Sequence, residues 1–214
     1  MAAPALHAVA QTTLHAAAEA GDLATIEALL ASGTPLDARD AQGRTALLVA
    51  VQADRTAAAL RLIEAGADVN ARAGDETTPF LHAASRGRTA VLRRALASGA
   101  DLRARNRYGS NALHGPAYRG HVEVVQLLLE AGVEVDLVNH LGWTPLLEAI
   151  ALGDGSAAHV AIVGRLVAAG ASLAAPDPQG LTPLRLAERR GQAAVAAVLR
   201  EAVRPAAPPR VPGR

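Results

Sequence analysis

Thr12-Thr13-Leu14-His15-Ala16-Ala17-Ala18, followed by Gly21-Asp22, decides the fold, because its markers return down the chain at a fixed distance. Thr12, Thr45 and Thr78 are each 33 residues apart, with Asn111 in the next slot and Thr144 in the one after. Gly33, Gly66, Gly99 and Gly132 keep the same step. A unit of this length holds a pair of short helices that cannot bury its apolar face alone, so such units stack side by side. A stack offers an extended surface rather than an enclosed pocket, which points to binding and away from catalysis.

The residues within each unit fit that reading. Thr at the start of the first helix caps its free backbone N–H groups, and Pro suits the next position, where Pro79, Pro145 and Pro183 stand. Gly21, Gly87, Gly120, Gly153 and Gly191 follow the first helix, where a left-handed ending favours Gly. A second apolar face follows, for example Ile26, Leu29 and Leu30, or Val124, Val125, Leu127 and Leu128. A turn then returns the chain to the next unit, with Gly43, Gly109, Gly142 and Gly180 at the tips.

These positions resemble the ankyrin motif T-P-L-H-x-A-A-x-x-G-x. Thr144-Pro145-Leu146 and Thr182-Pro183-Leu184 repeat its opening, and Gly66-Ala67-Asp68-Val69-Asn70 is similar to the closing G-A-D-V-N. The resemblance implies an all-α solenoid of six helix-turn-helix repeats joined by β-hairpin-like loops, at about residues 6–39, 40–72, 73–105, 106–138, 139–176 and 177–203. Residues 1–5 then read as a disordered lead-in and 204–214 as a flexible Pro/Arg tail. A narrower resemblance, to bacterial ankyrin proteins with a longer fifth repeat, rests on Asn106-Arg107-Tyr108-Gly109, Gly142-Trp143 and Gly153-Asp154-Gly155. The family implies recognition of a protein partner through the hairpin tips and the exposed side of the first helix, its concave face, with no catalysis, cofactor or metal. It also implies that His15 and His114, in the motif's His slot, bond hairpin backbone, and that His121 and His159 open second helices.

Departures from the pattern carry their own expectations. Asp54 replaces the Gly after a first helix, so that cap should be weaker. Glu76 replaces a turn Gly, so its tip should be irregular. Pro116 stands in an alanine slot of a first helix. Proline inside a helix removes a hydrogen bond at about 3 kcal/mol, so a short or kinked helix is expected. Thr144 and Thr182 are 38 apart, and 38 − 33 leaves five extra residues. Register places them at Asp154–Ala158, widening the loop between the two helices of the fifth repeat.

Composition narrows the function classes. Half the residues are apolar, yet the only aromatics are Phe80, Tyr108, Tyr118 and Trp143. The absence of cysteine excludes disulfides and thiolate metal sites. The net charge of +1 hides a pattern: residues 86–119 hold eight Arg against Asp101 alone, between acidic flanks. Near-neutral overall charge argues against general nucleic-acid binding. No apolar run reaches the length of a membrane span. A cytoplasmic monomer is expected, or a periplasmic or secreted one if a signal lies upstream of the given start. No HExxH pair, phosphate loop or nucleophile elbow is present.

Register selects the candidate contact residues. Arg39, Arg72 and Arg105 end three successive units and should form a ladder at about the 8–10 Å spacing of packed helices. Arg86 and Arg119 share a position at the end of the first helix, and Arg107 lies at a tip. Tyr108 and Trp143 map to adjacent tips, with His140 beside them, and Tyr118 to the end of a first helix. Aromatics and Arg are favoured in the energetic centres of interfaces. The expected partner is a protein with an acidic, partly apolar segment, although Trp143 could equally pack between neighbouring hairpins. Glu148 and His82 share a half-buried helix position filled elsewhere by Ala16, Val49, Gly115 and Leu186. A buried carboxylate needs partners or its pKa rises, so Glu148 is expected to bond the Gly153–Ser156 backbone, with Asp154 also shaping that loop. Two alternatives are a small-molecule or peptide-ligand protein using a Trp143–Glu148–Asp154 corner, and an enzyme dependent on Glu148 or Asp154.

Overall fold

A computed structural model describes residues 13–204. The expected lead-in, the Thr12 marker and the chain from residue 205 onward lie outside the described residues. Twelve helices follow in six pairs: α1 (Leu14–Ala20) and α2 (Leu23–Ala31), α3 (Ala46–Gln52) and α4 (Thr56–Glu64), α5 (Pro79–Ser85) and α6 (Thr89–Ala97), α7 (His114–Arg119) and α8 (Val122–Glu130), α9 (Pro145–Ala151) and α10 (Ala157–Ala168), α11 (Pro183–Arg189) and α12 (Ala193–Val203). First helices pack on first helices and second on second, which gives the two rows of a solenoid. No strand is present among the described residues.

Five of the six first helices begin where a Thr hydroxyl meets their open amides; α7, with Asn111 in the slot, has no side-chain cap. Thr45, Thr78, Thr144 and Thr182 accept from the amides of Leu48, Leu81, Leu147 and Arg185. In the first repeat the capping residue is Thr13, which accepts from Ala16 at 3.1 Å. Ala17, Ala50, Ala83, Ala149 and Ala187 share one register column and are at most 1% exposed. A methyl there lets the neighbouring pair approach closely. The second helices add Ile26, Leu62, Leu92, Leu128, Ile162, Val195 and Leu199 to one continuous core.

The tips are turns held by side chains that the repeat pattern did not single out. Asp40, Asn106, Asn139 and Asp177 each accept two amides of their own turn, as Asn139 does from Leu141 and Trp143. His15 and His114 set Nε2 at 2.9 and 3.1 Å from the carbonyls of Arg44 and Trp143, the hairpin contact that the resemblance implies. A further seam joins the second, fifth and sixth repeats to the one before. Arg55 donates to the carbonyl of Glu19, His159 Nε2 lies 2.9 Å from that of Tyr118, and Gln192 donates to those of Ile150 and Gly153.

Two of the departures resolve differently from expectation. Glu76 does not disturb its tip: it takes a left-handed φ of 63°, and its amide bonds Ala73 at 3.0 Å as Gly43 bonds Asp40 in the preceding tip. Asp54 is the other non-glycine residue with positive φ, at 60°. The five-residue insertion does not stay in the loop. The helix α10 has 12 residues against 9 for α8, so 12 − 9 = 3 positions lengthen the helix. Ser156 becomes its N-cap, and Ala157 and Ala158 are helical. Pro116 acts as its chemistry dictates. It has no N–H for the carbonyl of Ala112, so α7 starts late, at His114, and has 6 residues where α9 has 7.

A left-handed conformation costs a non-glycine residue about 1 kcal/mol. Glu76→Gly should therefore raise the unfolding free energy by about 0.5–1 kcal/mol, read as a higher urea midpoint with an unchanged slope. Asp54→Gly should gain less, since Asp54 Oδ1 lies 3.0 Å from Arg88 Nη1 and that pair would be lost.

Candidate partner-binding face

The arginines predicted as a ladder do not act as one. Arg39 turns back onto its own hairpin, donating to the Gly43 carbonyl at 2.8 Å and also to the Arg72 carbonyl of the next repeat. It ties two turns together rather than reaching outward. Arg105 lies 3.8 Å from Glu134 and lines a separate groove with Leu102, Asn111 and Leu137. Arg72 is exposed and forms no ion pair among the described residues. His140 joins the adjacent tips: its amide bonds the Tyr108 carbonyl at 2.9 Å, and its ring covers Gly109. Trp143 is half-buried against the core.

Three of the predicted residues do converge, on the face made by first helices and turn tips. Tyr108, Tyr118 and Arg119 line a groove of about 380 Å³ together with Ser85, Gly115, Leu141, Glu148 and Leu152. Gly115, between His82 and Glu148 in the helix row, lets α7 approach Ser85 of α5 where both line the groove. A Cβ at Gly115 would fall 2.6 Å from Ser85 Oγ, so close packing of α7 on α5 requires glycine here. Tyr108, Leu141 and Leu152 are 48%, 61% and 58% exposed, an unusual grouping of wet apolar side chains. The Arg119 guanidinium stacks on Tyr118 at 4.6 Å, and that of Arg107 on Tyr108 at 4.8 Å with a bond to its hydroxyl. Arg86 is exposed and lies close enough to act on His82, whose imidazole is pushed down to about 4 by burial and then by Arg86 and Arg119.

Glu148 faces this groove, not the loop. It is 6% exposed, and its Oε1 accepts from Asn139 Nδ2 at 2.7 Å. Asn139 is the turn residue that also accepts from Leu141 and Trp143, so Glu148 braces a tip instead of the Gly153–Ser156 backbone. Burial raises its pKa to about 7, against the opposing effects of the Asn139 bond and the Arg119 charge. Asp154 is the residue bonded within the loop, accepting from Ser156 N at 2.9 Å and lying 2.8 Å from His159 Nδ1. The Ser156 amide, followed by its side chain, lowers the Asp154 carboxyl to about 2. Of the proposed corner of Trp143, Glu148 and Asp154, Glu148 alone lines this groove.

The chain matches the family described as ankyrin repeats (3 copies) over residues 4–73, 71–139 and 117–207. It belongs to the ankyrin repeat family. An ankyrin repeat domain from Acinetobacter baumannii AYE is 48% identical, with a TM-score of 0.85 over 88% of this chain and 96% of that one. The ankyrin repeat protein EF0377 is 35% identical, with a TM-score of 0.83 over the same shares. The putative ankyrin repeat protein YahD of Escherichia coli (strain K12) is 51% identical over 65 residues, 30% of this chain and 32% of that protein. The match thus spans under a third of this curated relative's length. Ankyrin repeats are generally protein–protein interaction modules, and their fold is typically non-catalytic. No helix among the described residues is long and apolar enough to cross a membrane.

Two groove residues of this ankyrin domain escaped the register reading. Leu141 shares the column of Gln42, Asp75 and Tyr108, and Leu152 that of Arg86 and Arg119. A leucine in a column that is otherwise mostly polar was the available signal. The raised pKa of Glu148 also has a measurable sign. Near pH 4 the folded and unfolded chains both hold its proton, and Glu148→Gln should change little. Between 4.5 and about 7 only the folded chain holds it, so stability falls as pH rises. At pH 8 the Gln variant should be more stable than the parent by about 2–3 kcal/mol. Paired urea titrations across this range check it, because His82 and His114 titrate in both proteins and cancel in the difference.

Proposed function

We propose that the chain is a recognition module without turnover of its own, and that it grips a protein partner through the face built from α5, α7, α9 and the tips between them. The reading rests on one observation: Tyr108, Leu141 and Leu152 stand exposed together beside Arg86, Arg107 and Arg119. Isolated apolar side chains on a surface need no explanation, but a group rimmed by cations offers both halves of an interface centre. The belt of eight Arg and a single acid over residues 86–119 selects an acidic partner segment. Arg39 and Arg105 contribute less on this reading, since the first is bonded to backbone and the second faces Glu134 in another groove.

A partner captured from native lysate by the parent chain should bind Tyr108→Ala/Leu141→Ala at least about tenfold more weakly. Leu23→Ala, at the exposed start of α2, should leave its affinity unchanged. Both variants should keep the parent's helical circular dichroism. Equal capture by the Tyr108/Leu141 variant would remove this face from consideration.

A further inference from the structure

Arg119 is set in an unusual way. None of its donors is used by another described residue, and Nη1 is buried with no partner at all. Nη1 has lost water without gaining a hydrogen bond, which is costly for a charged donor, while the rest of the half-buried side chain remains open to the groove. The Tyr118 ring holds its plane in place, so little side-chain freedom remains to be lost on binding. The natural internal partner, Glu148, lines the same groove but forms no ion pair with it within 4.0 Å. Instead Glu148 turns to Asn139, and burial favours its neutral form. The groove therefore presents a fixed cation that its own carboxylate does not neutralise. Leu141 at the tip and Leu152 at the end of α9 supply apolar walls.

We propose that this groove seats one acidic side chain of the partner, a Glu or Asp between aliphatic neighbours, with its carboxylate on Arg119 and the neighbours against Leu141 and Leu152. The inference rests on the recognition face described above and names the residue that anchors to it. A basic side chain is repelled by Arg119, Arg107 and Arg86. A small free acid would satisfy Arg119 yet leave both leucines in water. A planar carboxylate can take two guanidinium N–H groups at once, which an amide of the same shape cannot.

The test titrates the full chain, labelled for NMR, with acetyl-Ser-Leu-Glu-Leu-Ser-amide, with the same peptide carrying Gln for Glu, and with isovalerate. The Glu peptide should move the Leu141 and Leu152 methyls and the Arg119 Nε–H saturably at millimolar concentration, and the Gln peptide should bind about tenfold more weakly. Isovalerate should bind no better than the Gln peptide. Arg119→Gln should abolish the preference for Glu over Gln, and Leu152→Ala should weaken both peptides alike. An amide spectrum unchanged away from the groove shows that each variant is folded. Equal affinity of the two peptides, equal binding of isovalerate, or no saturable shift overturns the proposal. Shifts confined to other tips reject this groove and leave the recognition face standing. Shifts on the second-helix row reject both.

Discussion

Close approach between neighbouring helix pairs is the constraint on which everything else depends. The alanine column of Ala17, Ala50, Ala83, Ala149 and Ala187 sets it, since each methyl is almost wholly enclosed by the adjoining repeat. A larger side chain in that column would force the pairs apart and open the core beneath. At that separation the His15 and His114 imidazoles reach the next turn, and the helix-two side chains reach the preceding repeat. The polar seams are therefore a consequence of the apolar spacing. Where they are buried, as at His114 and Gln192, an unmade bond is expensive, and so they favour one register.

Function follows from the one place where the spacing is kept with unusual residues. Pro116 stands in the alanine column, and Gly115 stands beside it in the outer row. The first shortens α7, and the second removes a side chain between His82 and Glu148. The groove thus lies where α7 is short and packs tightly against Ser85 of α5. Tyr118 and Arg119, at the end of the shortened helix, form one of its walls.

Much of this was legible in the sequence, and the failures share a physical cause. Period and cap chemistry located all six pairs, the short α7 and the left-handed Gly21, Gly87, Gly120 and Gly191, because these are properties of the backbone and its nearest side chains; after α9 the expected left-handed Gly153 is not left-handed, and Gly155 within the inserted loop takes the positive φ instead. The side-chain partners of the arginines were not legible, because a repeat period fixes Cα positions and says nothing about where a long, flexible side chain ends. Arg39 found backbone carbonyls, and Arg105 found Glu134. Glu148 was read as buried and in need of a partner, which it is. Its partner, Asn139, is nine residues back across a turn whose Asx bonds the repeat markers did not reveal. The insertion was placed correctly in register, but alanines carry a strong helical preference, and Ala157 and Ala158 extended the helix instead of the loop.

The bonds that Arg55, His159 and Gln192 make to the preceding repeat all point the same way along the chain. Asp22, in the same column of the first described pair, instead caps its own α2 through Thr25. At the opposite extreme, α11 has no successor among the described residues to latch it. The seam bonds give the stack a polarity like that of shingles on a roof, each of the three courses that make them fastening the one laid before it.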